Sequence, residues 1–103
     1  MAYRYHPEIE GLKVNEDGSE VILNGQAQHI WTFDRPGGQK KIQVNMIGRE
    51  FSVRRLVCEC WNGMPENPRW TASKKDRFGG LHYSNLHWKP RGFYADRKKK
   101  NDQ

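Results

Sequence analysis

Between Ser52 and Gly63 the chain carries a capped helical period, and this short segment constrains what can surround it. Val53, Leu56, Val57, Cys60 and Trp61 recur at helical spacing on one face. Ser52 caps the start by accepting from a free amide of the first turn. Asn62-Gly63 ends the helix, because Gly takes the left-handed position after the last turn without a Cβ clash. Arg54, Arg55, Cys58 and Glu59 are expected on the outward side.

Everything before this helix reads as antiparallel β-structure. Residues 12–14 and 20–23 flank Asp17-Gly18, a strong hairpin signal, and Asn24-Gly25 marks a second turn. Residues 28–33 are rich in strand formers and are broken by Asp34-Arg35-Pro36-Gly37-Gly38. Residues 41–46 alternate, with Ile42, Val44 and Met46 on one face, and Ile47-Gly48 turns the chain into a strand at 49–51 that feeds the helix. After the helix come a loop with Pro65 and Pro68, a short strand at 69–72, a basic loop, and residues 85–88 as a closing turn.

At 103 residues the chain is expected to form one domain with a small core. Its compact part covers 1–90, β-rich over 8–51 and finger-like over 52–90, and 91–103 forms a flexible basic tail. No apolar run approaches membrane-spanning length, and residues 1–11 lack the apolar segment of a secretory signal. Cys58 and Cys60 lie two apart within the helix and point to different faces, which disfavours a disulfide and suits a reducing, cytoplasmic setting. Cys60 is read as buried filler and Cys58 as a half-exposed thiol.

Charge is distributed unevenly. Residues 1–51 hold 6 basic and 7 acidic residues, whereas 52–103 hold 12 and 5, so the net +6 comes from the second half. Such asymmetry points to a polyanionic partner. Trp70, Phe78, Tyr83, Trp88, Phe93 and Tyr94 alternate with Arg69, Arg77, Lys89 and Arg91, which favours nucleic acid over a merely solvated basic surface.

Residues 54–61 (RRLVCECW), 65–68 (PENP) and 85–88 (NLHW) follow one another in an order and spacing that resembles the HNH (ββα-metal) homing endonucleases of phages. Residues 10–23 (EGLKVNEDGSEVIL) resemble the β-hairpin segment that precedes the nuclease finger in small members of that family. The resemblance covers roughly residues 8–89. It implies an α+β fold, an N-terminal antiparallel β-sheet followed by an HNH-like ββα finger, and a phage protein in the cytoplasm of an infected bacterium. It also implies a degenerate active site. In the family's register the general-base His position falls on Ser73, and the loop Asp and Asn positions fall on Lys75 and Arg77. Asn85 alone keeps a family-like residue.

The expected activity is therefore non-catalytic binding of nucleic acid, chiefly duplex DNA, with regulation of host or viral DNA functions as the role. The candidate contacts are Lys40, Lys41, Arg54, Arg55, Arg69, Lys74, Lys75, Arg77, Lys89 and Arg91, with no cofactor. Lys40 and Lys41 follow an exposed Pro-Gly-Gly turn, a finger of the kind a major groove admits. Two alternatives stand beside this reading. One is a metal-dependent nicking endonuclease with a rearranged site, using His82, Asn85 or His87, and holding Mg²⁺ or another divalent cation through Asp76, His82 and His87. The other is a protein that binds a host partner such as RNA polymerase or a defence or recombination factor. A dimer would enlarge the small core. His6 and His29 have no partner nearby in sequence and are expected on the surface or in strands. Gly79-Gly80 lacks the strand-to-helix setting of a phosphate loop.

Overall fold

The computed structural model describes residues 2–35 and 39–90, the side chains of Arg35, Gln39 and Lys40 excepted. Arg91, the basic tail and the side chain of Lys40 therefore lie outside the described residues. Among these residues three antiparallel sheets surround one helix, α1 (Val53–Trp61).

The first sheet has four strands in chain order, β1 (Tyr3–Tyr5), β2 (Leu12–Asn15), β3 (Val21–Leu23) and β4 (Gln26–Ala27). The β2–β3 turn is closed by side chains rather than by backbone alone. Asn15 Oδ1 accepts from Glu20 N at 3.0 Å, Asn15 Nδ2 donates to Ser19 Oγ at 2.7 Å, and Asp17 Oδ1 accepts from Ser19 N at 3.0 Å. That last amide is the main reason the Asp17 carboxyl titrates below its usual range. Gly18 at the tip has φ +74, and a Cβ there would stand 2.5 Å from Val53 Cγ1 and 2.8 Å from Val57 Cγ2. The hairpin tip thus sits directly on α1, and only glycine satisfies both the turn and the close approach.

The second sheet joins β5 (Ile30–Arg35), β6 (Gln39–Met46) and β7 (Arg49–Ser52) in that order. The period of two puts Ile30, Ile42, Val44, Met46 and Phe51 on the core face. Trp31, Phe33, Lys41 and Gln43 share the opposite face. The β6–β7 turn is strained. Ile47 sits at φ +45, a conformation costly for a β-branched residue, and is 64% exposed. Asn is the residue a two-residue turn of this type favours. Ile47→Asn is expected to raise unfolding stability by about 1 kcal/mol, read as a higher urea midpoint with an unchanged slope.

Chain polarity carries β7 straight into α1, where Ser52 Oγ accepts from Arg55 N at 3.4 Å and Gly63 closes the far end at φ +85, as the sequence predicts. The third sheet pairs β8 (Thr71–Lys74) with β9 (Leu86–Lys89), entered through a 3₁₀ turn at Tyr83–Asn85. The core draws Leu12, Val14 and Val21 from the first sheet, Val44 and Met46 from the second, and Ala72 and Leu86 from the third. These close on Val53, Leu56, Val57, Cys58 and Cys60 of the helix.

Several expectations are corrected here. Leu56 to Cys60 are all buried, so Cys58 and Glu59 do not face outward: sheets on several sides cover more of the helix than one apolar stripe. His6 is also buried rather than on the surface. The strand expected at 69–72 lies at Thr71–Lys74, because Asn67 holds Arg69 and Trp70 in a turn through its side-chain and backbone oxygens. Residues 86–89 form a strand rather than a closing turn, paired residue for residue with β8.

Burial also decides the chemistry of the thiols. Both cysteines are free and buried, and burial pushes Cys58 up and Cys60 up to about 12, the Glu59 carboxylate adding to the Cys60 shift. Since the thiolate is the nucleophile, iodoacetamide at pH 8 is expected to label the folded chain at least about 100-fold more slowly than the urea-unfolded chain. The folded Cys60 value lies above the ordinary 9.0. Its contribution to stability is therefore fully present below that pH and declines as the pH rises towards 12.

A rigid basic loop as candidate nucleic-acid interface

The finger-like half is fixed to the body by polar contacts that leave little freedom. Trp61 Nε1 donates to Val14 O at 3.1 Å, and its ring stacks on Tyr83 at 4.7 Å with planes 9° apart. Arg4 lies 4.8 Å over the Trp61 ring, and His82 stacks on Tyr83 at 4.5 Å. Tyr83 N donates to Glu16 O at 2.9 Å, tying the 3₁₀ turn to the first hairpin. Asn62 Nδ2 donates to the carbonyls of Tyr83 and Leu86, and Trp88 Nε1 to Gly63 O at 2.7 Å.

Arg55 serves the same purpose. Its guanidinium donates to Glu59 Oε2 at 3.0 Å, Trp70 O at 2.8 Å and Pro68 O at 3.3 Å, and lies 4.9 Å over the Trp88 ring. The other oxygen of Glu59 meets His6 Nε2 at 2.7 Å. His6 Nδ1 accepts from the amides of Glu8 and Ile9, so Nε2 carries the proton given to Glu59. Arg55, expected to contact nucleic acid, is thus committed to internal contacts. Its partners are far away in sequence, and no local pattern reveals them.

The loop between β8 and the 3₁₀ turn is held by Asn85. Its Oδ1 accepts from Asp76 N at 2.9 Å, and its Nδ2 donates to Asp76 O at 3.0 Å and Gly80 O at 2.9 Å. Its own carbonyl accepts from Lys75 N at 2.7 Å. A Cβ on Gly79 would come within 2.7 Å of that Nδ2, so the loop closes tightly on the amide. Asp76 completes the turn by accepting from Phe78 N at 3.0 Å. Lys75 and Arg77 project from this fixed loop, both exposed. Among the described residues no carboxylate forms an ion pair with Lys74, Lys75, Arg77 or Lys89.

Cross-strand pairing fixes the rest. Ser73 lies opposite His87 and Thr71 opposite Lys89 on one face of β8–β9, while Ala72, Lys74, Leu86 and Trp88 share the other. Arg69 is exposed on the turn before β8, and Arg54 is exposed on α1. Lys41 lies elsewhere, on the second sheet, with Nζ 5.8 Å from the Phe33 ring. There Trp31 and Phe33 stack at 5.0 Å, an aromatic pair that sequence reasoning missed, although its i, i+2 spacing in a strand was the available signal.

The alternative ligands Asp76, His82 and His87 are not brought together. Asp76 caps its own turn, His82 Nδ1 is 2.8 Å from Ser84 Oγ, and His87 lies in β9. Among the described residues no three His, Cys, Asp or Glu side chains are grouped to hold a metal ion. Nor is any helix there long and apolar enough to cross a membrane.

No family model matches the chain, and no curated protein does. Among solved structures it is similar to the HNH homing endonuclease I-HmuI, which binds and cleaves DNA. The match covers 99% of this chain with a TM-score of 0.61 at 22% identity, and the chain spans 60% of that protein's length. The likeness establishes an HNH-like α+β fold.

Proposed function

We propose that this chain binds duplex DNA without cleaving it, on a nuclease-like scaffold whose catalytic positions have been replaced, and acts as a phage regulator of DNA functions. The observation that carries this reading is the Asn85 loop. The carboxamide that matches the family is wholly committed to loop structure, and the loop it fixes presents Lys75 and Arg77 in place of cation ligands. Fixed positive charge there attracts phosphate without activating water. Ser73, at the general-base position, has no basic nitrogen to take a proton at neutral pH. Ser73, Lys75 and Arg77 do not fit a divalent cation, which takes oxygen ligands, predominantly carboxylates. The basic excess in the second half and the similarity to a DNA-binding endonuclease support the same reading.

His87 favours a second reading. It faces Ser73 directly across the β8–β9 ladder, where opposed side chains stand about 5 Å apart, so a general base could act from the neighbouring strand. A supercoiled-plasmid gel with and without Mg²⁺ or Mn²⁺ separates the two. A native shift that leaves the plasmid intact after protein removal is the expected result. Metal-dependent nicked circles, lost in His87→Ala, would make the chain an enzyme.

A further inference from the structure

Phe78 is 85% exposed, the most exposed of the large apolar side chains described. It is not a loose tip. Its own amide is held by Asp76 Oδ1, the next amide (Gly79) donates to Asp76 O at 2.9 Å, and the Asn85 carboxamide braces both ends of the loop. Trp61, Trp70, Tyr83 and Trp88, the other aromatics described in this half, are half-buried against the body. This half of the described fold thus holds one aromatic ring in water, and holds it on a stiffened turn. The Arg77 guanidinium lies 4.9 Å over one face of that ring, so a base would meet the opposite face, and residues 74–77 carry three positive charges against the one of Asp76.

A ring presented this way beside cations suits a base flanked by phosphates. Driving an apolar wedge into an intact stack costs unstacking energy, and that cost is lowest where the stack is already interrupted. Base–aromatic stacking is indifferent to base identity, because every base has a π-face. We infer that Phe78 stacks on the base at a break in duplex DNA, making the chain selective for nicked over continuous duplex. The selectivity is one of structure rather than sequence. Lys75 and Arg77 hold the phosphates on either side of the break. This inference rests on the duplex-binding reading above, and the test separates the two.

The probes are a 30-base-pair duplex of arbitrary sequence and the same duplex with one central nick, each with 2-aminopurine at the central step. Binding is followed by anisotropy and stacking by 2-aminopurine emission. Wild-type protein is expected to bind the nicked duplex about tenfold more tightly than the continuous one, with altered emission at the nick. Phe78→Ala should abolish both the preference and the emission change while holding continuous-duplex affinity within about twofold. Phe78→Trp should keep both. Equal affinity of the wild type for the two duplexes, or a preference that survives Phe78→Ala, overturns this inference and leaves duplex binding standing. Binding to neither duplex overturns both readings. The ring is exposed, so loss of folding does not confound the variants.

Discussion

Replacing Glu59 by Ala is expected to cost about 2–3 kcal/mol of unfolding stability, the scale for leaving a buried donor unsatisfied and a charged one without its acceptor. Glu59 is 8% exposed and takes a hydrogen bond on each oxygen, from His6 Nε2 and from Arg55 Nε. Without it the buried His6 N–H has no acceptor, and a desolvated donor left unpaired is costly. Arg55 would also be without the carboxylate that orients it toward Trp70 O, Pro68 O and the Trp88 ring. The damage should therefore extend from α1 to the finger, with faster amide exchange in β8 as well as a lower urea midpoint. Glu59→Gln keeps shape and one acceptor and should cost less than half as much. A loss below about 1 kcal/mol in Glu59→Ala would place the network with exposed ion pairs, which contribute little.

The same network marks where sequence ceases to be informative. The limits of α1 are legible because they are local: Ser52 caps, Gly63 ends, and nothing distant competes. The hairpin at Asp17-Gly18 is legible for the same reason. Glu59 is not, because its burial depends on His6, which lies 53 residues away. A helical period assigns a single inner face, and Cys58 and Glu59 fall outside it until sheets on other sides cover them. Strand β8 starts two residues later than composition suggests because Asn67 extends the preceding turn. The period of two in residues 86–89 is too short to distinguish from a turn without its partner β8.

The candidate site divides along the same line. Residue type marks the cations, and folding decides which of them are available. Arg55 becomes a fastener, whereas Lys75 and Arg77 remain exposed on a loop with no carboxylate pairing them among the described residues. Asn85 is visible as a family-like residue, but its role as the brace of that loop emerges only from the three hydrogen bonds of its side chain. Phe78 is one aromatic among several in the sequence. Burial of its neighbours, a tertiary property, singles it out.

Charge reversal at both loop cations, Lys75→Glu with Arg77→Glu, is expected to weaken duplex DNA binding at least about 100-fold at 0.1 M salt. Removing one phosphate-binding cation takes about one unit off the slope of log affinity against log salt. The double variant should therefore flatten that slope by about two and bind more weakly at every salt concentration. Two glutamates facing phosphate add repulsion that neutral substitutions lack, so Lys75→Gln with Arg77→Gln should fall between wild type and the reversal. Stability should change by less than about 0.5 kcal/mol, the range for exposed positions away from buried networks. The contrast with Glu59→Ala is diagnostic, since that variant loses stability first and binding only through the loosened finger. Unchanged affinity and slope in the double reversal would remove this loop from the interface. Binding would then fall to surfaces such as Lys41 with the Trp31–Phe33 stack, where a cation beside partly exposed aromatic rings is another arrangement able to meet a nucleic acid.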